Sequence, residues 1–149
     1  MLIWFDTEFI DTGTQIDLIS IGAVRADGKT YYAEALECDR SKACDWVRGN
    51  VFPHLTGALK MRSEIASDMV QFAGYDPEFW AWYAAYDWVC LSQLYGRMLD
   101  VPQSWPQFVC DLAPIWHWRN RPVLPPQPSN AHNALADAVW TREVWEICK

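Results

Sequence analysis

Two acids stand two residues apart in the apolar run Trp4-Phe5-Asp6-Thr7-Glu8-Phe9. If that run is a β-strand, its side chains alternate sides, so Asp6 and Glu8 share a face. Two carboxylates there repel each other and lose hydration on burial. A divalent cation relieves both penalties, since carboxylate oxygens are the preferred ligands of Mg²⁺ and Mn²⁺. The plain alternative puts one of the pair at an exposed strand end, solvated and inert, and this motif alone does not choose between them. A third acid, Asp87, falls where the aromatic run Phe79–Ala85 gives way to helical spacing, a position that equally suits an N-cap or first-turn residue. The segment Ser129-Asn130-Ala131-His132-Asn133-Ala134-Leu135-Ala136-Asp137 adds His132 at the end of a loop and Asp137 in the early turns of a helix. Asn130 or Asn133 could cap that helix. His54 and His117 have no comparable company and are read as structural.

The elements that must position these side chains follow from periodicity. Leu2–Phe9 and Ile16–Ala26 read as strands, and Asp27-Gly28 as a hairpin turn into a third, Lys29–Leu36. Short turns imply antiparallel pairing. Glu37 to Gly57 carries mixed signals and no firm assignment. Ile65, Met69 and Phe72 predict a helix over Met61–Phe72, stopped by Gly74. Phe79–Ala85 is a strand, and Val89, Leu91, Leu94, Tyr95 and Met98 predict a helix over Asp87–Leu99. Gln107–Leu112 is a further short strand. Arg119–Asn130, with Pro122, Pro125, Pro126 and Pro128, must be a loop. Ala136, Val139, Trp140, Val144 and Ile147 mark a last helix over Asn133–Ile147. Three antiparallel strands followed by alternating β and α elements predict an α/β fold, a mixed five-stranded sheet with helices packed on it. The expectation is a single domain over residues 1–149.

Composition narrows the field further. A net charge of −7 argues against a broad basic face for wrapping duplex DNA, but not against a nucleic-acid enzyme whose acids are neutralised by bound cations. The ten tryptophans are expected mostly in the core, with the rest free to stack on bases. The cysteines, five in number and without a CxxC pair, fit neither a zinc site nor a disulfide framework. No apolar run is long enough for a membrane span and no leader opens the chain, so a cytoplasmic protein with reduced thiols and no membrane partner is expected.

Taken together, the Asp-x-Glu of the first strand, the mid-chain Asp87 and the His132-x₄-Asp137 pair resemble the DEDDh 3′→5′ exonucleases of the ribonuclease H-like (DnaQ-like) superfamily. The likeness extends over the order of elements. It is nearest to the polyadenylate-specific exoribonuclease AS group, through Asp6-Thr7-Glu8-Phe9, Tyr86-Asp87-Trp88-Val89-Cys90-Leu91-Ser92-Gln93-Leu94-Tyr95-Gly96 and His132-Asn133-Ala134-Leu135-Ala136-Asp137-Ala138. The resemblance implies a ribonuclease H-like fold, two Mg²⁺ ions (Mn²⁺ able to substitute) on Asp6, Glu8, Asp87 and Asp137, and His132 as general base. It implies removal of nucleotides from the 3′ end of single-stranded RNA, with polyadenylate a candidate, and a homodimer. A proofreading-type DNA exonuclease and an inactive nucleic-acid-binding module are the alternatives. Phe9, Tyr86 and the backbone at Thr7 flank the expected ligands and are candidate contacts for the terminal nucleotide. Trp116, Trp118, Arg119 and Arg121 could guide the strand, though a solvated loop over packed tryptophans accounts for them equally. His132, after the prolines, is expected to swing in with substrate. Asp111 resembles a non-catalytic acid of the group, with a capping or hydrogen-bonding role.

Overall fold

A computed structural model describes all residues of the chain, Met1–Lys149. In chain order the elements are β1 (Leu2–Asp11), β2 (Ile16–Arg25), β3 (Thr30–Ala35), α1 (Asp45–Asn50), β4 (Leu59–Lys60), α2 (Arg62–Ala73), β5 (Glu78–Ala81), α3 (Ala85–Gln93), β6 (Cys110–Asp111), α4 (Leu112–Trp118) and α5 (Ala134–Cys148). The strands form one sheet of order β4-β3-β2-β1-β5-β6. β1, β2 and β3 pair antiparallel as expected, while β4, β5 and β6 join in parallel. The sheet is therefore mixed but has six strands rather than five. The extra one, β4, is only Leu59–Lys60, too short to show any period.

β1 is central and covered on both faces, which is why it reads as a nearly unbroken apolar run. Its odd residues Ile3 and Phe5 join Ile65 and Met69 of α2 and Cys90 and Leu91 of α3 in the main core. Its even residue Trp4 packs with Val24, Ala138 and Trp145 beneath α5. Asp6 and Glu8 continue that even row, so they face α5, while Thr7 faces α3. β5 meets β1 only at Leu2, Ile3 and Trp4, and β1 runs on past it to Asp11. The acids thus lie beyond the end of the parallel partner, in the crevice at carboxyl ends of strands where ligands of such sheets bind.

Two predicted boundaries move, each for a local reason. The helix expected over Asp87–Leu99 stops at Gln93, because Gly96 takes φ +115° and Met98 and Leu99 turn out to solvent. The strand expected over Phe79–Ala85 ends at Ala81, because Tyr83 adopts φ +57° and reverses the chain into α3. Within Glu37–Gly57 lies α1, a single short helix with Val47 as its buried residue. The tryptophans divide into Trp4, Trp105 and Trp140 fully buried, Trp46 and Trp118 exposed, and the rest half-buried.

Candidate active site

Residues far apart in the chain converge on a cavity of about 580 Å³ whose wall includes Asp6, Glu8, Asp87, His132 and Asp137. β1 supplies the first two from its α5-facing row. Asp87 sits in the first turn of α3, brought back over β1 by the Tyr83 reversal. Asp137 sits in the first turn of α5, whose N-cap is Asn133: its Oδ1 accepts from the Ala136 N–H at 3.1 Å. Of the two asparagines that could have capped this helix, the later one does so. α5 lies unusually close to the sheet at Gly22, the cross-strand partner of Asp6. A Cβ on Gly22 would stand 2.2 to 2.4 Å from backbone atoms of Ala134 and Leu135. The missing side chain lets the helix start settle directly over the acids.

Each carboxylate is held differently. Asp87, 5% exposed, accepts the Thr7 N–H at 2.8 Å and the Thr7 hydroxyl at 2.6 Å, both on Oδ1. Both Thr7 donors are thus engaged in orienting the Asp87 carboxylate, while Thr7 itself lines the cavity. Asp137 accepts the His132 N–H on Oδ2 at 2.7 Å, and its Oδ1 is buried with no partner. A buried carboxylate oxygen without a donor is costly, and a cation is the ligand that would satisfy it.

The electrostatics point the same way. Burial, then repulsion from Asp87, Glu8 and Asp137, pushes Asp6 well above the usual carboxylate range. Glu8 is raised from 4.5 to about 8 by burial and by Asp137 and Asp87. Asp87 rises to about 6 through burial, moderated by its bonds from Thr7. Burial raises Asp137 too, opposed by the His132 N–H and by interaction with His132 and His54. Such clustered, desolvated acids fit hard divalent cations. The ligating atoms of Glu8, His132 and Asp137 lie within 4.8 Å of one another. Asp6 and Asp87 line the same cavity outside that tightest set.

The rest of the wall is aromatic. Phe9 and Tyr86 stack at 5.5 Å with planes 15° apart, and Tyr86 is half exposed. Trp82 and Tyr83 extend the wall toward Trp140. Trp116, Trp118, Arg119 and Arg121 are not part of it. Arg121 lies over the Trp116 ring and donates to His117 Nδ1, a local loop arrangement. The proline loop is tied down by two indoles: Trp116 Nε1–H donates to the Pro122 carbonyl and Trp140 Nε1–H to that of Pro125. His132 already lines the cavity in this structure.

The profile of the Rv2179c-like 3′-5′ exoribonuclease domain matches residues 1–149. The chain belongs to that family. It is 42% identical over 146 residues to the 3′-5′ exoribonuclease Rv2179c of Mycobacterium tuberculosis strain H37Rv, covering 93% of this chain and 87% of that protein. The 3′-5′ exoribonuclease MT2234.1 of strain CDC 1551 matches to the same extent. Among solved structures, S. pombe Pop2p in its Mg²⁺- and Mn²⁺-bound form superposes with a TM-score of 0.69 at 11% identity, over 97% of this chain and 81% of that one. E. coli exonuclease I in complex with a dA16 oligonucleotide gives 0.65 at 12% identity, over 99% of this chain and 41% of that one. At those identities the likeness carries the fold alone, a mixed sheet with helices packed on it.

Within this Rv2179c-like frame, several contributors escaped the sequence reading. Gly22 was visible only as a glycine inside a strand, a sign of close backbone approach. His54, read as structural, lies near enough to act on Asp137 electrostatically, and its carbonyl accepts from Asn133 Nδ2 at 3.0 Å. Asp111 behaves as expected of a capping acid and does more. It accepts from the N–H groups of Ala113, Tyr83 and Ala84 at 3.0, 3.1 and 3.2 Å, and so ties the start of α4 to the turn that aims α3.

Proposed function

We propose that this protein removes nucleotides one at a time from the 3′ end of single-stranded RNA by metal-dependent hydrolysis, releasing 5′-monophosphates. One observation carries the reading: Asp6, Glu8, Asp87 and Asp137 meet in one cavity, with an unpartnered oxygen on Asp137 and His132 beside them. Membership of an exoribonuclease family supports RNA as the polymer.

Asp6, Glu8, Asp87 and Asp137 would hold two Mg²⁺ ions, or Mn²⁺ in their place. When bound, such ions supply an activated water and stabilise charge on the departing 3′ oxygen. His132 is the proton acceptor for that water, since a neutral imidazole is the side chain whose unperturbed titration lies nearest working pH. Thr7 fixes the carboxylate of Asp87 through two hydrogen bonds to Oδ1. The stacked Phe9 and Tyr86 offer a π surface for the terminal base, with Tyr83 and Trp82 further along. Adenylate tracts are the proposed preferred substrate, supported by the three segments that resemble the polyadenylate-specific group and by the aromatic residues of the wall.

The test is digestion of four 5′-labelled homopolymer RNAs, and a matched DNA strand, with Mg²⁺ or with EDTA. A ladder shortening from the 3′ end of RNA, absent in EDTA and fastest on polyadenylate, is expected. No metal-dependent shortening would sink the enzymatic reading. Faster cleavage of DNA would move the substrate to that polymer, and equal rates on the four RNAs would remove the adenylate preference.

A further inference from the structure

The general base proposed above is held at its backbone but not at its ring. His132 takes φ +70°, a left-handed conformation that L side chains rarely adopt, and its N–H donates to Asp137 Oδ2. Neither imidazole nitrogen hydrogen-bonds to a carboxylate or carbonyl of the protein, so the third group that commonly orients a catalytic histidine is missing. One side chain takes that place. Trp46 of α1 meets the His132 ring edge to face, with centroids 4.9 Å apart and planes at 79°.

Trp46 makes no other aromatic pairing and is 56% exposed. A large ring held at the surface by a short helix asks for a purpose other than filling the core. Its mounting is firm. α1 is anchored by Val47, which packs with Ile10, Ile19, Ala43 and Val51. The 3-10 turn that follows, Phe52–His54, is joined to the residue after His132 by the bond from Asn133 Nδ2 to the His54 carbonyl. The segment carrying Trp46 and the loop carrying His132 are therefore joined by a hydrogen bond close to the ring contact.

We propose that Trp46 is a positioning residue for His132: its indole limits rotation of the imidazole and keeps a ring nitrogen turned toward Glu8 and Asp137. This rests on the reading of His132 as base. Orientation of a proton acceptor matters because small misplacements at a reacting centre cost large factors in rate, and an edge-to-face aromatic pair is worth enough to bias a side chain by about 2- to 10-fold.

The experiment is a double-mutant cycle in steady-state and enzyme-excess turnover on single-stranded RNA with saturating Mg²⁺, comparing Trp46→Ala, Trp46→Phe, His132→Ala and Trp46→Ala/His132→Ala. Trp46→Ala is expected to lower kcat about 2- to 10-fold, with KM for RNA and the Mg²⁺ requirement unchanged, and Trp46→Phe to recover most of the loss. In the His132→Ala background, removing Trp46 should cost nothing further. Three outcomes overturn the proposal: an unchanged kcat in Trp46→Ala, a raised KM with kcat preserved (an indole that touches RNA instead), or an equal loss in the His132→Ala background. A fully active His132→Ala protein would instead overturn the base assignment itself. Thermal melts of all four variants identify loss of folding, and a Trp46→Phe protein that melts like the parent yet stays as slow as Trp46→Ala also counts against the idea.

Discussion

Replacing Gly22 with alanine adds one methyl group beside Asp6, where the backbone of the α5 start already occupies the space. The nearest atoms, Leu135 N and the Ala134 carbonyl, would lie 2.2 to 2.4 Å from the new Cβ, against 3.4 Å or more for ordinary contact. These are main-chain atoms at a helix end, so they cannot rotate aside; α5 must retreat by about 1 Å. Asp137 rides on the first turn of that helix and retreats with it. Overpacking of this kind costs about 1–3 kcal/mol, which for a chain of this size lowers Tm by roughly 3–10 °C. A displacement near 1 Å at a reacting centre costs on the order of 100-fold in rate. The expected protein is thus folded at room temperature but slowed by about two orders of magnitude on single-stranded RNA. Gly49→Ala is the control, because its Cβ would meet nothing within 4 Å and helix propensity favours alanine there. If Gly22→Ala matched the parent in both Tm and rate, the argument that a bare strand position seats α5 over the acids would be wrong.

Other predictions concern the acids and the aromatic wall. Without metal, the folded state binds protons at Glu8 and Asp87 up to about pH 8 and 6, above their ordinary values, so stability should fall as pH rises from about 5 to 8. Glu34 and Asp68, which are lowered, are already ionised across that window and do not mask the trend. Melts in EDTA should therefore give a Tm several degrees lower at pH 8 than at pH 5, with Mg²⁺ restoring it mainly at pH 8; a flat profile would contradict this. Asp6→Asn removes one of the mutually repelling charges, so the metal-free protein should melt higher than the parent while turnover drops by about 1,000-fold or more. Tyr86→Ala deletes half of the stacked pair with Phe9 and should raise KM for RNA about 10-fold while leaving kcat nearly alone. A kcat effect without a KM effect would deny it a role in holding the base.

Much of the site was legible because its signals are local. A spacing of two in a strand puts Asp6 and Glu8 on one face whatever the tertiary structure does, and the order of Asp87, His132 and Asp137 along strand–helix junctions placed the rest. The features that stayed hidden are non-local or too short to carry a period. Gly22 matters only because Ala134 and Leu135, near the other end of the chain, pack on it. Trp46 sits on a helix with one buried residue, so α1 left no repeating apolar stripe to read. β4 was invisible for the same reason, and the sheet was undercounted by one edge strand. The overlong reading of α3 came from Met98, whose spacing is helical although its side chain is solvated. The bonds from Thr7 to Asp87 were also hidden, since a strand pattern cannot show that a carboxylate from a distant helix will take its donors.

Trp82, Trp116 and Trp140 stand 5.5 to 5.7 Å apart in a crossed chain of rings, at 85° and 63°. Indoles that close and that steeply inclined couple their electronic transitions, so they should produce a strong near-ultraviolet circular dichroism signal of their own. Trp82 and Trp140 border the cavity, and Trp116 and Trp140 grip the prolines that lead to His132. The same rings that brace the wall therefore make it optically active, and entry of a nucleotide can be followed by light absorption with no label attached.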